Sequence, residues 1–222
     1  MDLLNPPFII AILVALTVHE FAHAFVADRL GDRTPRTMGR LTLNPIAHLD
    51  PMGTLLFFLV HFGWGKPVPI DPRNFKHWKR DSALTALAGP ASNLLLAVLS
   101  FLLLRFLAPE VMQVGSATDL LSTTGLGERL HAFLIQVLAM SLFINLGLMA
   151  FNLLPVPPLD GANILHAFIP LRYEENYLWF MQRGPFILIA LLILERLFNV
   201  PILITWITWI VDGVLRVLML FS

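Results

Sequence analysis

The sequence contains no cysteine, which excludes disulfides and thiolate metal sites together. Any metal the protein holds must therefore rest on histidine, aspartate or glutamate. Charge is scarce as well: 14% of the 222 residues are Asp, Glu, Lys or Arg, where a soluble domain carries about 25%. Fifteen basic residues balance fifteen acidic ones, leaving no cationic footprint for nucleic acid. Hydrocarbon fills the sequence instead, with 57% hydrophobic residues and a mean hydropathy of +0.74.

At about 20 residues per crossing of a ~30 Å hydrocarbon core, this length suits five or six transmembrane helices. Apolar runs at 6–30, 83–107, 130–154, 177–197 and 202–221 read as full spans. The first has no basic leader and no small-residue cleavage pattern, so it reads as a retained span and not a secretory signal. "MGTLLFFLVHFG", from Met52, is too short to span and reads as a re-entrant or interfacial segment. The alternation in "TMGRLTLNP" permits a strand over 37–43. The expected fold class is thus an all-α polytopic bundle with a short re-entrant or β-hairpin-like cytoplasmic segment. Nine of the fifteen Lys and Arg lie between Arg29 and Arg80, whereas the 109–128 loop carries Glu110, Asp119 and Glu128. Positive charge marks the cytoplasmic side, which places the N-terminus outside and, after five crossings, the C-terminus inside.

The first span contains the anomaly. "HEFAH" puts His19 and His23 four residues apart, one turn apart on the same helical face. Both imidazoles can reach one ion while Glu20, beside them, addresses its water. Zinc suits such a set, since it takes nitrogen and oxygen ligands tetrahedrally and keeps an open position in catalytic sites. It lowers the pKa of bound water from about 15.7 to about 7, and Glu20 would act as the base. HExxH occurs by chance in soluble helices. In a membrane span, however, ionisable residues cost roughly 2.5–3.5 kcal/mol each near the bilayer centre, and packing does not account for them.

Two histidines leave zinc one protein ligand short. "NLLPVPPLDGANIL" begins at Asn152, and prolines 155, 157 and 158 stop a regular helix there. Asp160 follows the break, on the same side of the membrane as His23. Its position fits a third ligand and equally an N-cap for the next helix.

HEFAH in a first span, GPASN at 89–93 and NLLPVPPLDG at 152–161 together resemble the site-2 protease family of intramembrane zinc metalloproteases, in the compact form without PDZ or CBS domains. The likeness covers roughly 6–170, so residues 1–170 are expected to form the catalytic membrane core and 171–222 two further transmembrane helices. The resemblance implies one zinc per chain on His19, His23 and Asp160, with Glu20 as catalytic base. It also implies that Asn93 helps hold the substrate or oxyanion and that Asn152 supports the second motif. It further implies hydrolysis of peptide bonds in transmembrane segments of single-span proteins, in a prokaryotic plasma membrane, with the site open to the cytoplasm. On this reading, 37–43 would add a strand beside the unwound substrate. His48 reads as a turn-capping histidine before a supplementary ligand, and Asp212 and Arg216 are spaced for an ion pair on one helix face. The competing class is a metal-ion transporter using the same His/Asp cluster. Against it stand the glutamate beside His19, which transport does not need, and the lack of an inverted repeat.

Overall fold

The computed structural model describes residues 4–60, 63–109 and 126–220. Five helices are long and apolar enough to cross a membrane, and they fall on the five apolar runs. Helix α1 (Pro6–Arg29) opens on two prolines, tolerated because the first helical N–H groups have no acceptor within the helix. It is followed by a single helical turn, α2 (Thr34–Thr37), and a short helix, α3 (Pro51–Val60). Two long helices come next, α4 (Trp78–Leu107) and α5 (Leu126–Asn152). After the proline-rich turn come α6 (Asp160–His166), α7 (Glu174–Phe198) and α8 (Ile202–Leu220). Most of the acidic 109–128 loop lies outside the described residues.

Helices α1, α4 and α5 pack directly on one another. The face that α1 buries is mostly small: Ala11, Ala15, Ala24 and Ala27 are at most 1% exposed. Lipid is as apolar as leucine, so helices in a bilayer gain chiefly from close backbone approach, which small residues permit. Ala97, Phe101 and Leu104 of α4 meet Ile135, Leu142, Leu146 and Met149 of α5, and Ile210, Val214 and Leu218 of α8 cover the seam. Trp206 of α8 donates its indole N–H to Ala150 O at 2.8 Å, which pins α8 to α5. Glu195 of α7 accepts from the Leu203 and Ile204 amides at 3.2 Å each, satisfying donors that open the first turn of α8. Asp212 and Arg216 are both exposed on α8, and among the described residues neither forms an ion pair.

Helix α3 is about 15 Å long at 1.5 Å per residue, half a hydrocarbon core. Its Phe57 ring stacks on Phe8, centroids 6.1 Å apart, and Phe8 lies in the first turn of α1. An antiparallel bridge between Leu49 and Gly65 closes the base of the loop. The segment is thus too short to cross, as its length implied, and its helix packs beside the start of α1.

The strand expected at 37–43 does not form, and the described residues contain no strand. Pro35 starts the helical turn of α2, and Gly39 then takes φ +68°. Arg40 is buried, with its guanidinium donating to Ala47 O and Lys66 O. A buried cation drawn onto two carbonyls bends the chain out of the extended state, so an alternating pattern here reflects a turn. Fully buried His48 bonds through Nε2 to Thr42 O at 2.8 Å, which ties the same loop together.

Candidate metal centre

The two histidines of α1 are held from behind. His19 Nδ1 lies 2.6 Å from Asn93 Oδ1, and His23 Nδ1 lies 2.7 Å from Thr85 O. Both partners are on α4, where Pro90 interrupts the backbone ladder. A carbonyl oxygen can only accept, so each Nδ1 carries the proton and each Nε2 presents a lone pair forward. The imidazoles meet edge to face with centroids 4.6 Å apart. They fit because Gly89 faces them: a Cβ built there would run into His23 Nε2 and come within 2.5 and 2.6 Å of His19 Cε1 and Nε2.

The proline-rich turn supplies the third group. Asp160 is the first residue of α6 and makes no capping bond with its side chain; Leu159 is the cap residue. Its Oδ2 lies 3.2 Å from His19 Nε2 and 3.3 Å from His23 Nε2, with the two Nε2 atoms 3.0 Å apart. The turn needs glycine at 161, where a Cβ would come within 2.5 Å of Leu153 C and Leu154 O.

Two imidazole nitrogens and a carboxylate oxygen converge at 3.0–3.3 Å with both Nδ1 atoms already committed to α4, so the three compete unless they share a proton or a metal ion. A cation resolves this conflict. Tetrahedral zinc with bonds of ~2.0–2.1 Å requires ligand atoms about 3.3–3.4 Å apart, close to what these residues show. His19, His23 and Asp160 together could hold a metal ion, and their N, N, O donor set fits zinc.

Glu20 borders the same space and is tied to the loop that crosses it. The extended stretch 66–71 is anchored along its length. Lys66 N–H donates to His48 O at 2.9 Å, Val68 N–H to Glu20 Oε2 at 3.1 Å, and Asp71 N–H to Asp32 Oδ2 at 2.8 Å. Asp32, fully buried, also accepts from the Thr34 amide and hydroxyl and from Asn74 Nδ2. Burial pushes its carboxyl up, but these hydrogen bonds outweigh it and hold the group below its ordinary 3.8. A depressed pKa stabilises the fold above the unfolded value and is lost as pH falls through the folded one. Asp32→Asn, which turns an N–H toward a donor, is expected to cost about 1–3 kcal/mol. It should also flatten the fall of the thermal midpoint as pH drops below the ordinary carboxylate value of about 4; an unchanged midpoint and pH profile would remove Asp32 from this role.

A cavity of about 370 Å³ joins these groups, lined by His19, Glu20, His23, Asn152 and Asp160 with Pro67, Val68 and Pro158. Asn152 gives its Nδ2 to Leu148 O at 2.9 Å. Asn93 does not line the cavity; it stands behind His19. Sequence reading missed Ser82 and Asn163, which also line the space. Ser82 Oγ is buried without a hydrogen bond, and Asn163, three residues after Asp160, faces the cavity. The detectable signal for both was proximity in sequence to a motif. A second cavity of about 650 Å³ lies beyond Gly65 and is lined almost wholly by hydrocarbon, including Phe8, Ile12, Leu16, Phe57, Leu148 and Ile207.

The model of peptidase family M50 matches residues 7–192. A Bacillus subtilis protein named "Putative zinc metalloprotease YwhC" is 43% identical over 167 residues, covering 75% of this chain and 71% of its own. Two mycobacterial proteins named "Putative zinc metalloprotease Rip2" are also similar. The one from Mycolicibacterium smegmatis is 32% identical over 83% of this chain and 66% of its own. The one from Mycobacterium tuberculosis strain H37Rv is 34% identical over 90% and 71% respectively. No solved structure matches. A family match over most of the chain, joined to a His, His and Asp cluster between membrane-length helices, identifies the protein as a member of peptidase family M50, the site-2 protease family of membrane zinc metalloproteases.

Proposed function

We propose that this multi-pass membrane protein hydrolyses peptide bonds within transmembrane segments of single-span proteins, from a site open to the cytoplasm of a prokaryotic plasma membrane. The observation that carries the reading is the position of the cluster. His19 stands ten residues inside α1 from Arg29, about 15 Å along the helix at 1.5 Å per residue, within a helix long and apolar enough to cross a membrane. The apolar cavity of about 650 Å³, lined by α1, α3, α5 and α8, suits a lipid-soluble segment. Both the core 1–170 and the pair 171–222 take part, since α6, which carries Asp160, packs on α4 and is tied to α7 by Tyr177 OH donating to Ala162 O at 2.5 Å.

His19, His23 and Asp160 hold one zinc per chain. Bound there, zinc supplies a Lewis acid for the scissile carbonyl and activates water as the nucleophile. Glu20 moves the proton. Val68 N–H fixes its Oε2 and leaves Oε1 to take a proton from the water and return it to the departing amine nitrogen. Asn152 lines the cavity with its Nδ2 spent on Leu148 O, so its Oδ1 is the atom left to receive a backbone N–H of the substrate. A substrate helix pairs its amides internally, so it must unwind before any of these contacts form.

The test uses detergent-purified protein and a fluorogenic single-span peptide. Glu20→Gln is expected to retain about one zinc while cleavage falls about 10²–10⁴-fold, the range of general acid–base contributions. Normal cleavage by this variant would take the base away from Glu20. A wild type that binds zinc, leaves the peptide intact and carries zinc across vesicles would replace proteolysis with transport.

A further inference from the structure

Asn145 lies in "FINLG" in the last third of α5, an amide in an otherwise apolar stretch. It is fully buried, as is Asn93. Its side chain donates to Ser141 O at 2.8 Å and approaches Ser141 Oγ at 3.1 Å. Its Oδ1 accepts from Asn93 Nδ2 at 2.8 Å. Asn93 Nδ2 also reaches Ala15 O at 3.3 Å, and Asn93 Oδ1 meets His19 Nδ1 at 2.6 Å. The chain of bonds runs across three helices, from α5 through α4 to α1.

Its direction is not free. Ser141 O and Ala15 O are backbone carbonyls and only accept. Ser141 O therefore fixes the Asn145 amide with nitrogen toward it and oxygen toward Asn93. Asn93 must answer with Nδ2, as Ala15 O independently demands, and both of its donors are then spent. The oxygen of Asn93 is left facing His19, whose Nδ1 must carry the proton and whose Nε2 is thereby the free lone pair. His23 receives the same instruction from a backbone carbonyl, Thr85 O, which no side-chain change can reverse. Asn93 alone differs, because an amide can rotate by 180° and present a donor to His19 instead. Asn145 Oδ1 and Ala15 O both oppose that rotation, and Asn145, at 2.8 Å against 3.3 Å, is the shorter contact and the one made by a side chain.

We propose that Asn145 is a positioning residue of the metal centre, fixing through Asn93 which nitrogen of His19 is offered to the metal. The inference rests on the zinc-ligand reading above only for its effect on metal affinity; the protonation of His19 is a property of the metal-free chain. Partners that orient a ligating histidine typically contribute 10–100-fold in metal affinity. Asn145 touches neither metal nor substrate, so its whole effect must pass through Asn93.

Two measurements decide it. In metal-free wild type labelled with ¹⁵N-histidine, the His19 signal, identified by its loss in His19→Gln, is expected to show a protonated Nδ1. A bare Nδ1 would overturn the proposal, and this arm needs no variant at position 145, so it stands even if such a variant does not fold. In the second arm, zinc affinity is read by competition with a chromophoric chelator for Asn145→Leu, Asn93→Ala and the double variant. Asn145→Leu is expected to weaken zinc 10–100-fold, and in the Asn93→Ala background to weaken it no further, since coupled residues are not additive. Unchanged affinity in folded Asn145→Leu, or fully additive losses, would also overturn it. A wild type that takes up no zinc defeats the ligand reading instead, and the ¹⁵N arm, read in wild type and in Asn145→Leu, then decides: a protonated Nδ1 lost in the variant supports the proposal, and one kept unchanged overturns it.

Discussion

Gly89→Ala is expected to abolish zinc retention, and cleavage with it, while the protein still folds. The added methyl would sit against His23 Nε2 and within 2.6 Å of His19 Nε2, in the space where the ligand lone pairs converge. Neither ring can step aside cheaply. Each is buried and anchored through Nδ1 to α4, the helix that carries residue 89. Helix propensity acts in the opposite direction, since alanine is favoured over glycine by about 1 kcal/mol in a helix interior. Lost zinc in a variant whose helix is intrinsically stronger can therefore be traced to the steric contact. Metal analysis beside a thermal melt of the metal-free protein checks this; a variant with one zinc per chain would mean that α4 stands further from the imidazoles.

Zinc should raise the thermal midpoint of the wild type and leave that of Asp160→Ala where it was. A ligand that binds only the folded state stabilises it by about 2.7 kcal/mol at a hundred times its dissociation constant. For a chain of this size that amounts to roughly 5–10 °C, at about 2–4 °C per kcal/mol. Removing Asp160 leaves two imidazole nitrogens 3.0 Å apart and no anionic ligand. Each protein is compared with its own metal-free form, so loss of the Asp160 contacts to His19 and His23 in the metal-free chain does not enter the shift. Equal zinc-induced shifts in the two proteins would remove Asp160 from the ligand set.

Those ligand candidates were legible because their signal is local. His19, Glu20 and His23 declare themselves by spacing on one helix, and Asp160 by the prolines that strand it beyond a helix end. Sequence could not decide whether Asp160 capped α6 or faced the histidines; its lack of a capping bond and its 3.2 Å approach to His19 are tertiary facts. Asn93 was found through its motif but expected on the substrate side, whereas its amide is spent on His19, Asn145 and Ala15 O. Asn145 was missed although a buried amide in a membrane span is itself a signal. The five spans followed from hydropathy, yet α4 begins at Trp78 and not at 83, because the windowed signal sees only the lipid-facing length. Lys79 and Arg80 lie in its first turn and find partners in Glu174 and Asp81. The strand at 37–43 failed for a related reason: pattern alone does not show that Arg40 is buried on two carbonyls.

The close approach of α7 to the proline-rich turn has a bearing on how this chain can change. At Gly184 any Cβ would collide with Pro157, whose Cγ is within 2.6 Å of that point, and Pro157 stands three residues before Asp160. Positions 157 and 184 are therefore a single unit of variation: a bulkier residue at one is tolerable only if the other yields. The same contact makes the C-terminal helices a poor place to trim. A chain shortened to the three motif-bearing helices would lose the surface against which the turn carrying Asp160 is set.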